Sequence, residues 1–140
     1  IANIIHNTDI NEVSAYDEKL DMWFPLWQQV KNQDVLLTPL VQNLVIDSYT
    51  LRAWGKLHTL SITFHFTQRT NISNDTLLIR MSSDQPISPV NAFYALASNN
   101  ANQRAQLGIY GSGNTIDTWD SIQSNANAEW SVQFTYFTAY

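Results

Sequence analysis

The chain has 140 residues, a formal charge of -5 at pH 7 and no cysteine. Without cysteine there is no disulfide framework and no thiolate zinc site. Only seven basic residues occur and they are scattered, which excludes a phosphate-tracking nucleic-acid surface and a polybasic membrane patch. No apolar run approaches the roughly 20 residues of a membrane-spanning helix. The length fits one domain with a short accessory segment. It suffices to bury a core without metals or disulfides. The first residue is Ile1 rather than Met, so the chain is expected to be a piece of a longer protein or a processed one.

Residues 1–34 hold six of the twelve acids, Asp9, Glu12, Asp17, Glu18, Asp21 and Asp34, and so read as a segment apart. Asn11 is placed to cap a helix with acids in its first turn. Val13, Tyr16, Leu20 and Trp23 recur at helical spacing. Pro25 would then break it. The expectation is a short helix over 11–22 in a neck or lead-in segment, residues 1–34, ahead of a head domain at residues 35–140.

From Val35 the pattern turns to strands. LVIDSYTLRAW (44–54) is β-rich. In GKLHTLSITFHFTQ (55–68), Leu60, Ile62, Phe64 and Phe66 share one face, and Thr59, Ser61, Thr63 and His65 share the other. That alternation is the mark of a half-buried antiparallel strand. RTNISND (69–75) reads as a turn, and its Asn71-Ile-Ser73 matches an N-glycosylation sequon, which matters only in a eukaryotic secretory setting. TLLIRM (76–81) is a strand, SSDQPISP (82–89) a proline-rich loop, NAFYALA (91–97) a weakly alternating strand and SNNANQ (98–103) a turn. RAQLGIY (104–110) and TIDTW (115–119) pair across Gly111-Ser-Gly-Asn114, where glycine reaches positive φ without strain. SIQSNANA (121–128) reads as a loop. EWSVQFTYFTAY (129–140) is the last strand, with Trp130, Val132, Phe134 and Tyr136 on one face. Short strands at regular spacing predict an all-β fold, an antiparallel β-sandwich or barrel.

No nucleophile elbow, zinc-protease motif, P-loop or dinucleotide fingerprint is present. His58 and His65 are seven apart on one strand, so they fall on opposite faces and cannot share a metal. Asp117 and Asp120 are a conceivable hydrolase pair, but nothing visible in the sequence perturbs either carboxyl. Parity is more informative. If Ile116 points inward, so do Leu107 and Ile109, while Gln106, Tyr110, Asp117 and Trp119 point outward. An outward Tyr, Asp and Trp suit a sugar, whose apolar ring face stacks on aromatics and whose hydroxyls bond carboxylates. Low charge and abundant neutral polar residues fit the same surface chemistry.

The string WGKLHTLSITF (54–64), the QPISP and AFYALA stretches within Pro86 to Ala97, LGIYGSGNTI (Leu107 to Ile116) and the closing segment from Trp130 to Tyr136 stand in a familiar order. Over residues 35–140 the chain resembles the C-terminal head domains of receptor-binding and baseplate proteins of tailed phages of Gram-positive bacteria, especially lactic acid bacteria. It departs from that pattern at the usual LP-x-GYRP segment, which here reads IRMSSDQPISP. The resemblance implies a trimeric, jelly-roll-like head on a virion tail tip or baseplate. Such a head holds other tail proteins and host cell-wall saccharide or phosphopolysaccharide as partners and does not cleave the saccharide.

The resemblance carries no catalytic residue, and with the charge and histidine pattern above the expectation is no cofactor, no metal, and no nucleic-acid or membrane partner. No binding residue transfers by motif. The candidate saccharide set therefore rests on parity and position: Tyr110, Asp117 and Trp119, with Asp120 and Arg104 beside them. The rival expectations are a structural baseplate or fibre component, whose exposed aromatics make assembly contacts, and a glycan-processing enzyme.

Overall fold

The computed structural model describes residues 4–7, 12–28 and 31–138. Its contacts divide the chain into two compact units, Ile1–Lys31 and Asn32–Tyr140. The expected all-β class is what forms: among the described residues there are fourteen strands, joined antiparallel wherever their pairing is described, and no helix long and apolar enough to cross a membrane.

The first unit is a three-stranded meander, β1 (Ile4–Asn7), β2 (Glu12–Asp17) and β3 (Met22–Gln28), in the order β1-β2-β3. The helix expected over 11–22 does not form, and Asn11, its expected cap, lies outside the described residues. The reason is local. The Asp17 carboxylate accepts the backbone N–H groups of Lys19 (2.9 Å) and Leu20 (3.3 Å), which stabilises a turn where a helix would have to continue. Asp21 then takes φ 48, a left-handed value that reverses the chain. The seven-residue spacing of Tyr16 and Trp23 arises because they face each other across the hairpin, with ring centroids 5.3 Å apart. Pro25 sits within β3, an edge strand next to a register shift, where a missing N–H is tolerated. None of the described side chains of this meander is buried.

The second unit is built on a nine-stranded sheet. Its strands are β4 (Lys31–Gln33), β5 (Leu36–Pro39), β6 (Leu44–Trp54), β7 (Leu57–Phe66), β9 (Leu77–Ser82), β10 (Phe93–Asn99), β11 (Arg104–Tyr110), β12 (Thr115–Thr118) and β14 (Trp130–Phe137). Their order is β4-β6-β7-β14-β10-β11-β12-β9-β5. β5 closes one end of that order and β6 is second from the other, yet only residues 40–43 connect them. So short a link cannot span a flat sheet of this width. The sheet therefore curls until its two ends approach, and its inner face closes on itself as a core.

Two short strands, β8 (Thr70–Ile72) and β13 (Ile122–Ser124), pair with each other as a separate ribbon. Both lie where the sequence reading expected only turn and loop. A three-residue strand leaves too little alternation to be legible, and this pair is defined by the partner across the ribbon. β13 also anchors the core: Ile122 is fully buried and Ser124 Oγ accepts the indole N–H of Trp130 at 2.8 Å.

Period-two alternation holds on the long strands. Leu60, Ile62, Phe64 and Phe66 of β7 and Trp130, Val132, Phe134 and Tyr136 of β14 all point into the core. Phe64 faces Trp130 in register, and the rings lie nearly parallel with centroids 6.1 Å apart. The expected opposition of the two histidines also holds. His58 is buried beside Tyr136, whereas His65 lies on the outer face with its Nδ1 2.9 Å from the Asp47 carboxylate. Behind the β11–β12 hairpin, Leu107, Ile109 and Ile116 are all fully buried, so its inner face is fixed by packing. That fixes the outer face as well.

Candidate functional site

The outer face of β10, β11 and β12 carries the predicted residues. Tyr94, Gly108 and Asp117 form one row across the three strands, through the pairs Tyr94↔Gly108 and Gly108↔Asp117. Leu96 and Gln106 pair in the next row, and the Gln106 carbonyl accepts the backbone N–H groups of Trp119 (2.9 Å) and Asp120 (3.1 Å). Trp119 is thereby held just past the end of β12, with about half its surface exposed (48%).

Three aromatic rings meet here. Tyr94 packs edge-on against Trp119 at 5.0 Å between centroids and edge-on against Tyr110 at 6.2 Å. Such edge-to-face pairs follow the ring quadrupoles and add to the area they bury. Gly108 makes the arrangement possible. A Cβ at that position would stand 2.7 Å from the hydroxyl and ring edge of Tyr110. The tyrosine thus lies down over the strand, in space that any other residue would fill. The turn glycines have separate duties. Gly113 takes φ 86, whereas Gly111 has no positive φ and instead makes room for the Pro89 carbonyl, 2.2 Å from where its Cβ would be.

Asp117 sits beside these rings, half-buried. Its Oδ1 is shielded from solvent and has no hydrogen-bond partner among the described residues. Burial pushes its carboxyl above the usual carboxylate range. A hydrogen bond from Thr115 opposes that rise and the Asp75 charge adds to it. The Tyr110 hydroxyl is pushed up to about 12 by burial, by its hydrogen bond and proximity to Tyr94, and by the charges of Asp117 and Asp75.

Asp75 is brought close by Thr118, a fully buried polar residue. The Thr118 carbonyl accepts the Asp75 N–H (2.8 Å), and its hydroxyl donates to the Ser73 carbonyl (2.8 Å) and accepts the Thr76 N–H (2.9 Å). A register shift between Ile116 and Asp117 against β9 accompanies this docking.

The structure therefore brings Tyr110, Asp117 and Trp119 together on one outward face, as parity required. Arg104 and Asp120 are also exposed, at the start of β11 and just beyond β12, but they stand outside the ring cluster. Asp120 is held through its backbone N–H on the Gln106 carbonyl. Sequence reasoning missed Tyr94 and Gly108. Both left a signal: in β10 Tyr94 and Leu96 alternate with the inward Ala95 and Ala97, and a lone glycine inside a strand marks a close approach.

No group of three or more His, Asp or Glu side chains is disposed to hold a metal ion among the described residues. The cluster can offer the exposed ring faces of Tyr94 and Trp119 beside a half-buried carboxyl, which is recognition chemistry. No protein-family model, no curated protein and no solved structure matches the chain.

Proposed function

We propose that this chain is the receptor-binding head of a phage tail or baseplate, attaching to host cell-wall saccharide without cleaving it. The phage assignment rests on the sequence resemblance over residues 35–140. The saccharide assignment rests on one observation above the rest: the Tyr94–Tyr110–Trp119 cluster, whose Tyr94 and Trp119 rings are about half exposed, beside the half-buried Asp117. A pyranose ring laid on Trp119 would cover exposed aromatic surface. A site this shallow binds weakly per copy, and many copies on one virion multiply the strength.

The test is binding of the purified, labelled chain to a panel of Gram-positive cells and to their isolated wall polysaccharides, beside Trp119→Ala. Strain-selective binding that disappears in a folded Trp119→Ala variant is the expected result. A chain that binds no strain or polysaccharide, but assembles with tail proteins through Trp119, would make it a structural baseplate component. Release of reducing sugar from a bound polysaccharide would make it an enzyme.

A further inference from the structure

A groove of about 330 Å³ opens on the outer face of the same sheet, beside the aromatic cluster. It arises from an interruption in strand pairing. β10 and β14 are in ladder register only at Ser98↔Ser131 and Asn99↔Trp130. The chains meet again at the Pro89↔Thr138 bridge, where Val90 N–H donates to the Phe137 carbonyl at 2.8 Å. Between those points the strands run without ladder pairs, and the groove lies alongside.

The lining is unusual for a protein surface because no residue in it is charged. Hydroxyl and amide groups of Ser61, Thr63, Ser98, Ser131 and Gln133 line it, with Tyr49 and Leu96 as apolar walls. Hydroxyls and amides both donate and accept, so they suit a ligand that does the same along its length. The lining itself offers a phosphate no cation, and Arg104, which pairs with Ser98 on the same face, stands outside it. Leu96 is 60% exposed and belongs to both regions: it lines the groove, and it pairs with Gln106, whose carbonyl holds Trp119.

We infer that the ligand is an uncharged, linear polysaccharide that crosses the strands, one sugar on the aromatic cluster and the following units over Leu96 into the groove. This rests on the saccharide reading above and adds the length and charge of the ligand. From β12 to β6 is five strand-to-strand steps. At ~4.8 Å each the path is about 24 Å, too long for a single sugar ring.

The experiment uses wall polysaccharide from a strain the protein binds, cut by partial hydrolysis, fractionated by size and separated into neutral and phosphate-bearing pools. Affinity is read by titration calorimetry. Neutral fragments long enough to reach the groove should bind about tenfold tighter than the shortest ones, roughly 1.4 kcal/mol. Ser131→Trp and Ser61→Trp each fill the groove from an exposed position. Each should abolish that gain while leaving short-fragment affinity intact, with circular dichroism confirming the fold.

Trp119→Ala should weaken fragments of every length. Equal affinity for long and short fragments, groove variants that behave as wild type, or binding confined to the phosphate-bearing pool would each overturn the inference while saccharide binding stands. Failure of wild-type protein to bind any polysaccharide would overturn the underlying reading as well.

Discussion

The β2–β3 hairpin and the β10–β12 ribbon each bring a tyrosine ring against a tryptophan ring near an aspartate. In the first, Tyr16 and Trp23 lie 5.3 Å apart and the Tyr16 hydroxyl donates to the Asp21 carboxylate. In the second, Tyr94 and Trp119 lie 5.0 Å apart, and the nearby Asp117 keeps an oxygen without a donor. The first pair has no buried described residue in its own unit, while the second is backed by Leu107, Ile109 and Ile116. Aromatic contact alone therefore does not mark a site. A packed backing distinguishes the ribbon from a hairpin that merely closes on itself.

That contrast can be broken from the inside out. Ile109→Ala removes fully buried atoms behind the ribbon and should cost about 2–5 kcal/mol in chemical denaturation. A cost below that range would mean the backing is looser than its burial suggests. Thr118→Val leaves the Thr76 N–H without its partner, while the Ser73 carbonyl keeps the Thr76 hydroxyl. It should cost about 1–3 kcal/mol and leave saccharide binding largely intact, because Trp119 keeps the Gln106 carbonyl and Asp75 keeps the Thr118 backbone carbonyl.

Asp117→Asn sharpens the comparison in the opposite direction. The folded carboxyl is held above its ordinary value of 3.8, so the fold binds a proton more readily than the unfolded chain does. Ionised Asp117 therefore subtracts from stability at neutral pH. The Asn variant should melt at a higher temperature than wild type at pH 7. That advantage should shrink as pH falls through the folded carboxyl's range, where wild type takes up its proton. Saccharide affinity should fall at the same time, and an unchanged affinity would remove Asp117 from the site. The smallest effect is expected of Tyr16→Ala: about 0.2–1 kcal/mol in stability, the scale of one cross-strand pair, with no change in saccharide binding.

The sequence was most legible where strands are long and half-buried. β7 and β14 announce their faces because every second residue is large and apolar. The outward set Tyr110, Asp117 and Trp119 follows from the inward set Leu107, Ile109 and Ile116. Legibility failed where a side chain, and not periodicity, decides the backbone. The Asp17 turn converts a helical spacing into a hairpin, because a spacing of seven fits two turns of helix and a pair facing across a turn equally well. It failed again at β8 and β13, and at Tyr94, whose role depends on the register of the β10–β11 hairpin and so on which residue of β11 it faces.

One atom's worth of space at Gly108 carries a consequence for how such a surface can change. Tyr110 rests directly on the peptide plane there, so the height of the cluster above the sheet is set by the absence of a single methyl group. Alanine at 108 would lift the tyrosine off the strand and retilt it against Tyr94, while the fully buried residues on the other face would be left as they are. The contour presented to a ligand can thus be recut by one substitution without the core being rebuilt. Position 108 is a place where new recognition can arise in a single step.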